Sequence, residues 1–410
     1  MAAVRQLRGM AWDHPRAVDP LEAISMQWSA DNDCPVKWDA RPLKDFEDQP
    51  LEELADRYDL ILIDYPFVGI AASSGLIVPV EEWTDPAYLA DQAAASVGRS
   101  YASYTWRDRQ WALAVDAACQ VSGFRPDLVG AASCSGLPDT WDGVMDLAGT
   151  LHDSNHRVAM PLNPNHAYCA FLSLGISRAG PGFWCAGERI DEGAALASLE
   201  FLRELATRLH PLSRVGDPIA ILDRMSTSDE ILYVPLMFGY SSYARRGFRP
   251  KRIRFGNAPK GNGEGNGKGP GGHIGSVLGG VGIALSARSP DPELAAGLAR
   301  LIASREVQRG LYATAGGQPG HAAAWDSPKV NELTDGFFAA TRSTMEQAFL
   351  RPRVAGHRRF QVMAGELIHR FTWEGSMSPE DCLAGFTRLA AELLGDWRDG
   401  TTQRQAGAAR

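Results

Sequence analysis

Tyr58-Asp59-Leu60-Ile61-Leu62-Ile63-Asp64-Tyr65-Pro66-Phe67-Val68-Gly69 decides how the chain is read. Leu60 to Ile63 is an unbroken apolar run, which suits a strand buried on both faces; a half-exposed strand would alternate. Helices are therefore expected on both sides of its sheet. Asp64 stands at the carboxyl end of the run, and Pro66 has no N–H to continue the ladder. Open parallel sheets bind ligands in the crevice outside the carboxyl ends of their strands, so Asp64 and Tyr65 are placed where a ligand is expected.

Upstream, Gln6 to Trp12 reads as a first strand, followed by a helix from Asp19 or Pro20 through Trp28 with Leu21, Ile24 and Trp28 on one face. Cys34 to Ala40 is a second strand, and a helix over Leu51 to Tyr58 leads into the third. Strand, helix, strand, helix, strand is the pattern of right-handed parallel units. The three strand ends deliver Trp12, Asp13 and His14, then Trp38, Asp39 and Arg41, then Asp64 and Tyr65 to one edge.

Downstream, a helix is expected over Tyr88 to Val97, and the alternation of Trp111, Leu113 and Val115 indicates a strand leaving the first lobe with Asp116 at its end. Asp139 or Thr140 caps a helix from Trp141. Arg157 to Leu162 reads as a strand whose exit carries Asn163, Asn165, His166 and Tyr168. Helices over Gly193 to His210 and Pro218 to Ser226 precede an apolar strand from Glu230 to Met237, with Phe238-Gly239-Tyr240 at its end. Residues 256–272 are Gly-rich and are expected to form a flexible loop. Strand resumes in Gly275 to Ser286, where Gly279 and Gly280 allow close backbone approach. Helices follow at Pro292 to Leu301, Ser304 to Ala313, Lys329 to Thr344, Arg358 to Trp373 and Pro379 to Leu394, and 398–410 is read as a disordered tail.

The totals limit the function. A chain of 410 residues suggests two domains or one two-lobed unit. Hydrophobic residues at 45% and charged residues at 22% exclude wholesale disorder. A net charge of -8 argues against nucleic acid or an anionic membrane as partner, and no apolar segment approaches the ~20 residues that span a bilayer. The six cysteines form no C-x-x-C pair, and neither a metal nor a cofactor is implied. Residues 1–12 contain no apolar core of a secretion signal. His152 and His156 have i, i+4 spacing, but Asp153, Ser154 and Asn155 between them favour a turn. Lys268 lacks the following Ser or Thr of a phosphate loop, and no G-x-S-x-G elbow occurs, so covalent catalysis has no candidate.

The order of Asp59-Leu60-Ile61-Leu62-Ile63-Asp64, Leu137-Pro138-Asp139-Thr140-Trp141-Asp142, Gly279-Gly280-Val281-Gly282-Ile283-Ala284, Ser304-Arg305-Glu306-Val307-Gln308 and Gly317-Gln318-Pro319-Gly320 resembles the family 1 extracellular solute-binding proteins of ABC importers. The resemblance implies an α/β fold of two Rossmann-like lobes joined by hinge strands, the type II periplasmic-binding-protein architecture. One lobe would hold 1–114 with 282–325, the other 115–281 with 326–397. It implies a monomer that traps a small-molecule solute, carbohydrate foremost, for an ABC permease at the cell exterior. Without a signal peptide, an unrecorded leader, another export route and a cytoplasmic protein stay open. The ligand-binding candidates are Trp12, Asp13, His14, Arg16, Trp38, Arg41, Asp64, Tyr65, Asp116, Asn163, His166, Tyr240, Gly279 and Gly280. Aromatic faces beside carboxylate and amide groups suit a sugar, while the Arg and His content also suits a small organic acid. The alternative is an intracellular enzyme or ligand sensor on the same scaffold, with His14, His166 and the crevice carboxylates as acid and base.

Overall fold

A computed structural model describes residues 5–41, 51–131, 137–185, 190–261 and 272–395. Its centre is one mixed sheet in the order β2 (Val36–Arg41), β1 (Leu7–Trp12), β3 (Leu60–Asp64), β11 (Leu278–Ser286), β7 (Leu113–Phe124), β9 (Ile231–Phe238), β8 (Arg157–Val158). The first three strands, β1 (Leu7–Trp12), β2 (Val36–Arg41) and β3 (Leu60–Asp64), are parallel, with α1 (Pro15–Asn32) and α2 (Leu51–Arg57) as crossovers. Leu60, Ile61, Leu62 and Ile63 are all buried, as their lack of alternation requires. Each such side chain contributes about 2 kcal/mol by leaving water. β4 (Ile77–Val78) pairs with β11, and β5 (Thr105–Trp106) and β6 (Arg109–Gln110) form a separate hairpin.

Two long strands carry the chain between the halves. β7 (Leu113–Phe124) pairs with β11 (Leu278–Ser286) through Cys119, then with β9 (Ile231–Phe238) from Gln120 onward. The short β8 (Arg157–Val158) and β10 (Arg254–Gly256) finish the sheet on β9 and β7. A third crossing follows near Phe349, whose N–H donates to Ser276 O at 2.8 Å and whose carbonyl accepts from Leu278 N at 2.9 Å. The apolar interior divides into two clusters. One lies around β1, β3, β7 and β11; the other is built from α3 (Pro164–Ala179), the helix Glu192–Ala206, α4 (His357–Glu374) and α5 (Pro379–Leu393).

The structure corrects four sequence readings. α1 begins at Pro15, because the His14 imidazole accepts from Arg16 N at 3.0 Å and caps it; Pro20 lies inside the helix. α3 occupies the region read as the exit of a strand, and only Arg157–Val158 of that strand forms. Residues His166 to Ser177 of α3 are all buried, so the helix has no polar stripe to reveal its period. The helix expected over Lys329 to Thr344 is broken in two around Asp335 and Gly336, both at positive φ. Within 256–272, Ala258 is buried and Lys260 bridges Thr140 and Ile274; the rest of that stretch, 262–271, and the expected tail lie outside the described residues.

Candidate functional site

The carboxyl ends of β1 and β3 meet the hinge strands in a cleft of about 100 Å³. Trp12 and Asp64 reach it from the strand ends and Arg16 from the start of α1; β7 supplies Asp116 and Ala118, and β11 supplies Gly279, Gly280 and Val281. The opposite wall comes from Asn165 and His166 at the start of α3, Phe238 at the end of β9, Tyr240 just beyond it, and Pro218. Arg351 on the third crossing closes the floor. Glycine is required at the back. A Cβ at Gly279 would lie 2.7 Å from the Phe238 ring, and one at Gly280, where φ is 115°, would lie 2.4 Å from Asp116 O.

Two arginine–carboxylate pairs sit in this cleft and are used differently. Arg16 forks onto Asp116, with Nε to Oδ2 at 2.8 Å and Nη2 to Oδ1 at 2.5 Å, while Nη1 donates to Gly239 O at 2.9 Å. Its guanidinium also lies 4.7 Å from the centre of the Tyr240 ring. All three donor nitrogens are therefore committed. The Gly239 carbonyl accepts as well from Gln318 Nε2, whose Oε1 takes Ser241 N at 3.0 Å. Arg16 and Gln318 thus clasp the same short segment after β9.

Arg351 stands 3.8 Å from Asp64 Oδ2 and gives its hydrogen bonds elsewhere. Nε donates to the Tyr65 hydroxyl at 3.0 Å and Nη1 to Gln361 Oε1 at 2.8 Å. Because a guanidinium only donates, the Gln361 oxygen is fixed on it and the Gln361 amide must donate onward. It does so to Asn165 Oδ1 at 2.6 Å. The remaining group of Asn165 is its NH2, a donor at the cleft wall. Asp64 supplies the complement: Oδ1 is buried without a hydrogen-bond partner. Burial pushes its carboxyl above the usual range, opposed by Arg351. His166 Nδ1 is likewise buried without a partner; burial lowers this imidazole to about 4, so it is neutral at physiological pH. Its ring meets Phe238 edge-on at 5.9 Å. Acceptor, donor and neutral imidazole stand among three aromatic side chains, an arrangement that binds hydroxyl groups.

No protein-family model and no curated protein matches the sequence. Solved structures match over nearly its whole length. Maltose-bound MalE3 of T. maritima superposes with a TM-score of 0.80 at 17% identity, covering 95% of this chain and 100% of its own. The fold is that of the ABC-transporter solute-binding proteins. A solute-binding protein of Thermotoga lettingae bound with α-D-tagatose gives 0.77 at 15% identity, covering 96% of this chain and all of its own. One of Agrobacterium radiobacter K84 in complex with ribitol gives 0.77 at 17%, over 95% and 98%.

Within this binding-protein fold, eight of the candidates, Trp12, Arg16, Asp64, Asp116, His166, Tyr240, Gly279 and Gly280, line the cleft. The other six candidates stand outside its lining. Tyr65 is fully buried, its hydroxyl donating to Leu278 O at 3.1 Å and receiving Arg351; it braces the hinge. Trp38 lies under Gly9 in the core, with Nε1 on Ser25 Oγ at 2.8 Å. Arg41 donates to the Tyr58 hydroxyl at the far sheet edge. Asp13 is exposed, Asn163 caps α3 by accepting from His166 N, and His14 packs behind Tyr240 at 5.0 Å. Arg16 pairs with Asp116 and not with the nearer-sequence Asp19 or Asp39. Sequence reasoning left out Ala118, Asn165, Pro218, Phe238, Val281 and Arg351. For Asn165 the Asn163-Pro164 cap signal was available, since a helix starting there aims its first turn at the strand ends.

Proposed function

We propose that this chain is a solute-binding protein that captures a small neutral polyhydroxy solute, a carbohydrate or polyol, between two lobes and delivers it to an ABC permease. The observation that carries the reading is the pairing of an unpartnered Asp64 Oδ1 with the donor face of Asn165 across a cleft walled by Trp12, Tyr240 and Phe238. Charge selects against the organic-acid alternative: Arg16 and Arg351 are matched by Asp116 and Asp64, and neither guanidinium keeps a free edge to fork onto a carboxylate. Structures of the same fold hold maltose, tagatose and ribitol, which supports the same solute class here. The lobes would be 1–114 with 282–325 and 115–281 with 326–397, hinged on β7, β11 and the Phe349 crossing. No helix among the described residues is long and apolar enough to cross a membrane, in keeping with a permease as a separate partner.

A thermal-shift panel of sugars, polyols and small acids, followed by solution scattering on any hit, tests this. A neutral polyhydroxy compound is expected to raise the melting temperature and shrink the radius of gyration. Stabilisation by acids alone would contradict it, and conversion of the hit to product on prolonged incubation would favour the enzyme reading.

A further inference from the structure

A second cavity lies outside the cleft and shares no lining residue with it. It measures about 400 Å³, opens to solvent and is lined by Ala95, Arg305, Arg309, His321, Ala322, Ala323, Asp326 and Ser327. Three of these side chains are donors that nothing in the described chain uses. Arg305 and Arg309 stand one helical turn apart, and neither makes an ion pair among the described residues. His321 is 5% exposed. Its Nδ1 accepts from Ala323 N at 3.2 Å to cap the short helix that follows, so Nδ1 must carry the lone pair and the neutral ring's proton is forced onto Nε2. That Nε2–H is buried and has no partner. A buried donor left unmade costs free energy, and native structures rarely leave one unsatisfied. The acidic side chain in the lining, Asp326, is paired with Arg342 at 2.9 Å and makes no ion pair with either arginine.

We propose that this cavity binds a small tetrahedral oxyanion such as phosphate or sulfate, with Arg305 and Arg309 supplying charge and His321 Nε2–H a directed hydrogen bond. Three donors from separate positions match the several oxygens of a tetrahedral anion better than the two of a carboxylate. The place in the fold gives the site a neighbour of consequence. His321 adjoins the turn whose Gln318 grips β7 and the segment after β9, and Gly320 N donates to Gln308 Oε1, next to Arg309.

Isothermal titration of the full chain with inorganic phosphate, at constant ionic strength, tests the proposal independently of any cleft ligand. The expected result is saturable binding that is abolished in the Arg305→Gln/Arg309→Gln double variant. His321→Asn keeps a cap acceptor but deletes the Nε2–H, and is expected to weaken phosphate about tenfold with little change in melting temperature. Acetate and anionic phospholipid vesicles run in parallel identify the alternatives. The proposal is overturned by no saturation up to about 10 mM phosphate, by unchanged affinity in the double variant, or by binding confined to acetate or to vesicles.

Discussion

Arg16 with Asp116 and Arg351 with Asp64 are two pairs of the same chemical type at the margins of one cleft, and they serve opposite ends. The first is closed on itself: a two-pronged contact in which the carboxylate spends both oxygens on one partner. In the second, the arginine stands off at 3.8 Å and gives its donors to Tyr65 and Gln361, so Asp64 keeps Oδ1 for something that is not protein. Identical residues therefore build a structural clamp on one side and a recognition surface on the other. What separates them is whether the guanidinium is satisfied by its carboxylate or by other acceptors.

The largest expected effect breaks the clamp. Arg16→Leu leaves Asp116 buried and unpaired and strips a donor from Gly239 O, and should destabilise the chain by about 3–5 kcal/mol in urea unfolding. Arg351→Leu should cost less, about 1–3 kcal/mol, because Asp64 keeps some access to solvent through the cleft. Equal costs would dissolve the distinction.

Next comes acid. Buried histidines attend both pairs: His14 beside Arg16, and His166 on the cleft wall with His357 also under the influence of Arg351. Burial lowers His14 and His166 to about 4 from 6.5, helped at His14 by Arg16 and Arg249. Between those values these two imidazoles are protonated in the unfolded chain and neutral in the folded one, so their contribution to stability is complete above about pH 6.5 and is lost as pH falls toward 4. Each imidazole accounts for roughly 3 kcal/mol across that window. Urea midpoints at pH 7 and pH 4.5 measure the slope, and His14→Asn, which retains a cap acceptor, should remove the His14 share of it and leave that of His166 and of the other histidines lowered by burial, His210, His321 and His357.

The smallest effect probes the relay. Gln361→Glu still receives Arg351 but cannot donate to Asn165, whose amide must then turn and present its oxygen to the cleft. Ligand affinity should fall about tenfold while the melting temperature hardly moves. Side-chain amide resonances give a ligand-free check, with the Asn165 NH2 becoming hydrogen-bonded only in the variant.

Much of the frame was legible because its signals are local. The unbroken run from Leu60 to Ile63 and the parallel units before it name a doubly covered sheet, and Gly279-Gly280 marks where backbone crowds the cleft. Two failures have separate causes. α3 has no polar face, so periodicity could not find it, and its first turn carries Asn165 and His166. Pro20 looked like a helix start because the cap at His14 is made by an imidazole and not by the usual Ser, Thr, Asp or Asn. The partner of Arg16 lies 100 residues away and that of Asn165 nearly 200, separations no spacing rule addresses. Tyr65 beside Asp64 shows the same limit. Adjacent residues at a strand end face opposite ways, and only the packing of Arg351 decides which one meets the ligand.

Titration calorimetry of the strongest sugar or polyol from the panel into the wild-type chain and into Asp64→Asn is the most direct test. The Asp64 carboxylate oxygen should be a principal acceptor for a solute hydroxyl, so the substitution is expected to weaken binding about tenfold or more with the fold intact. Undiminished affinity in Asp64→Asn would show that the solute is held by something other than this cleft.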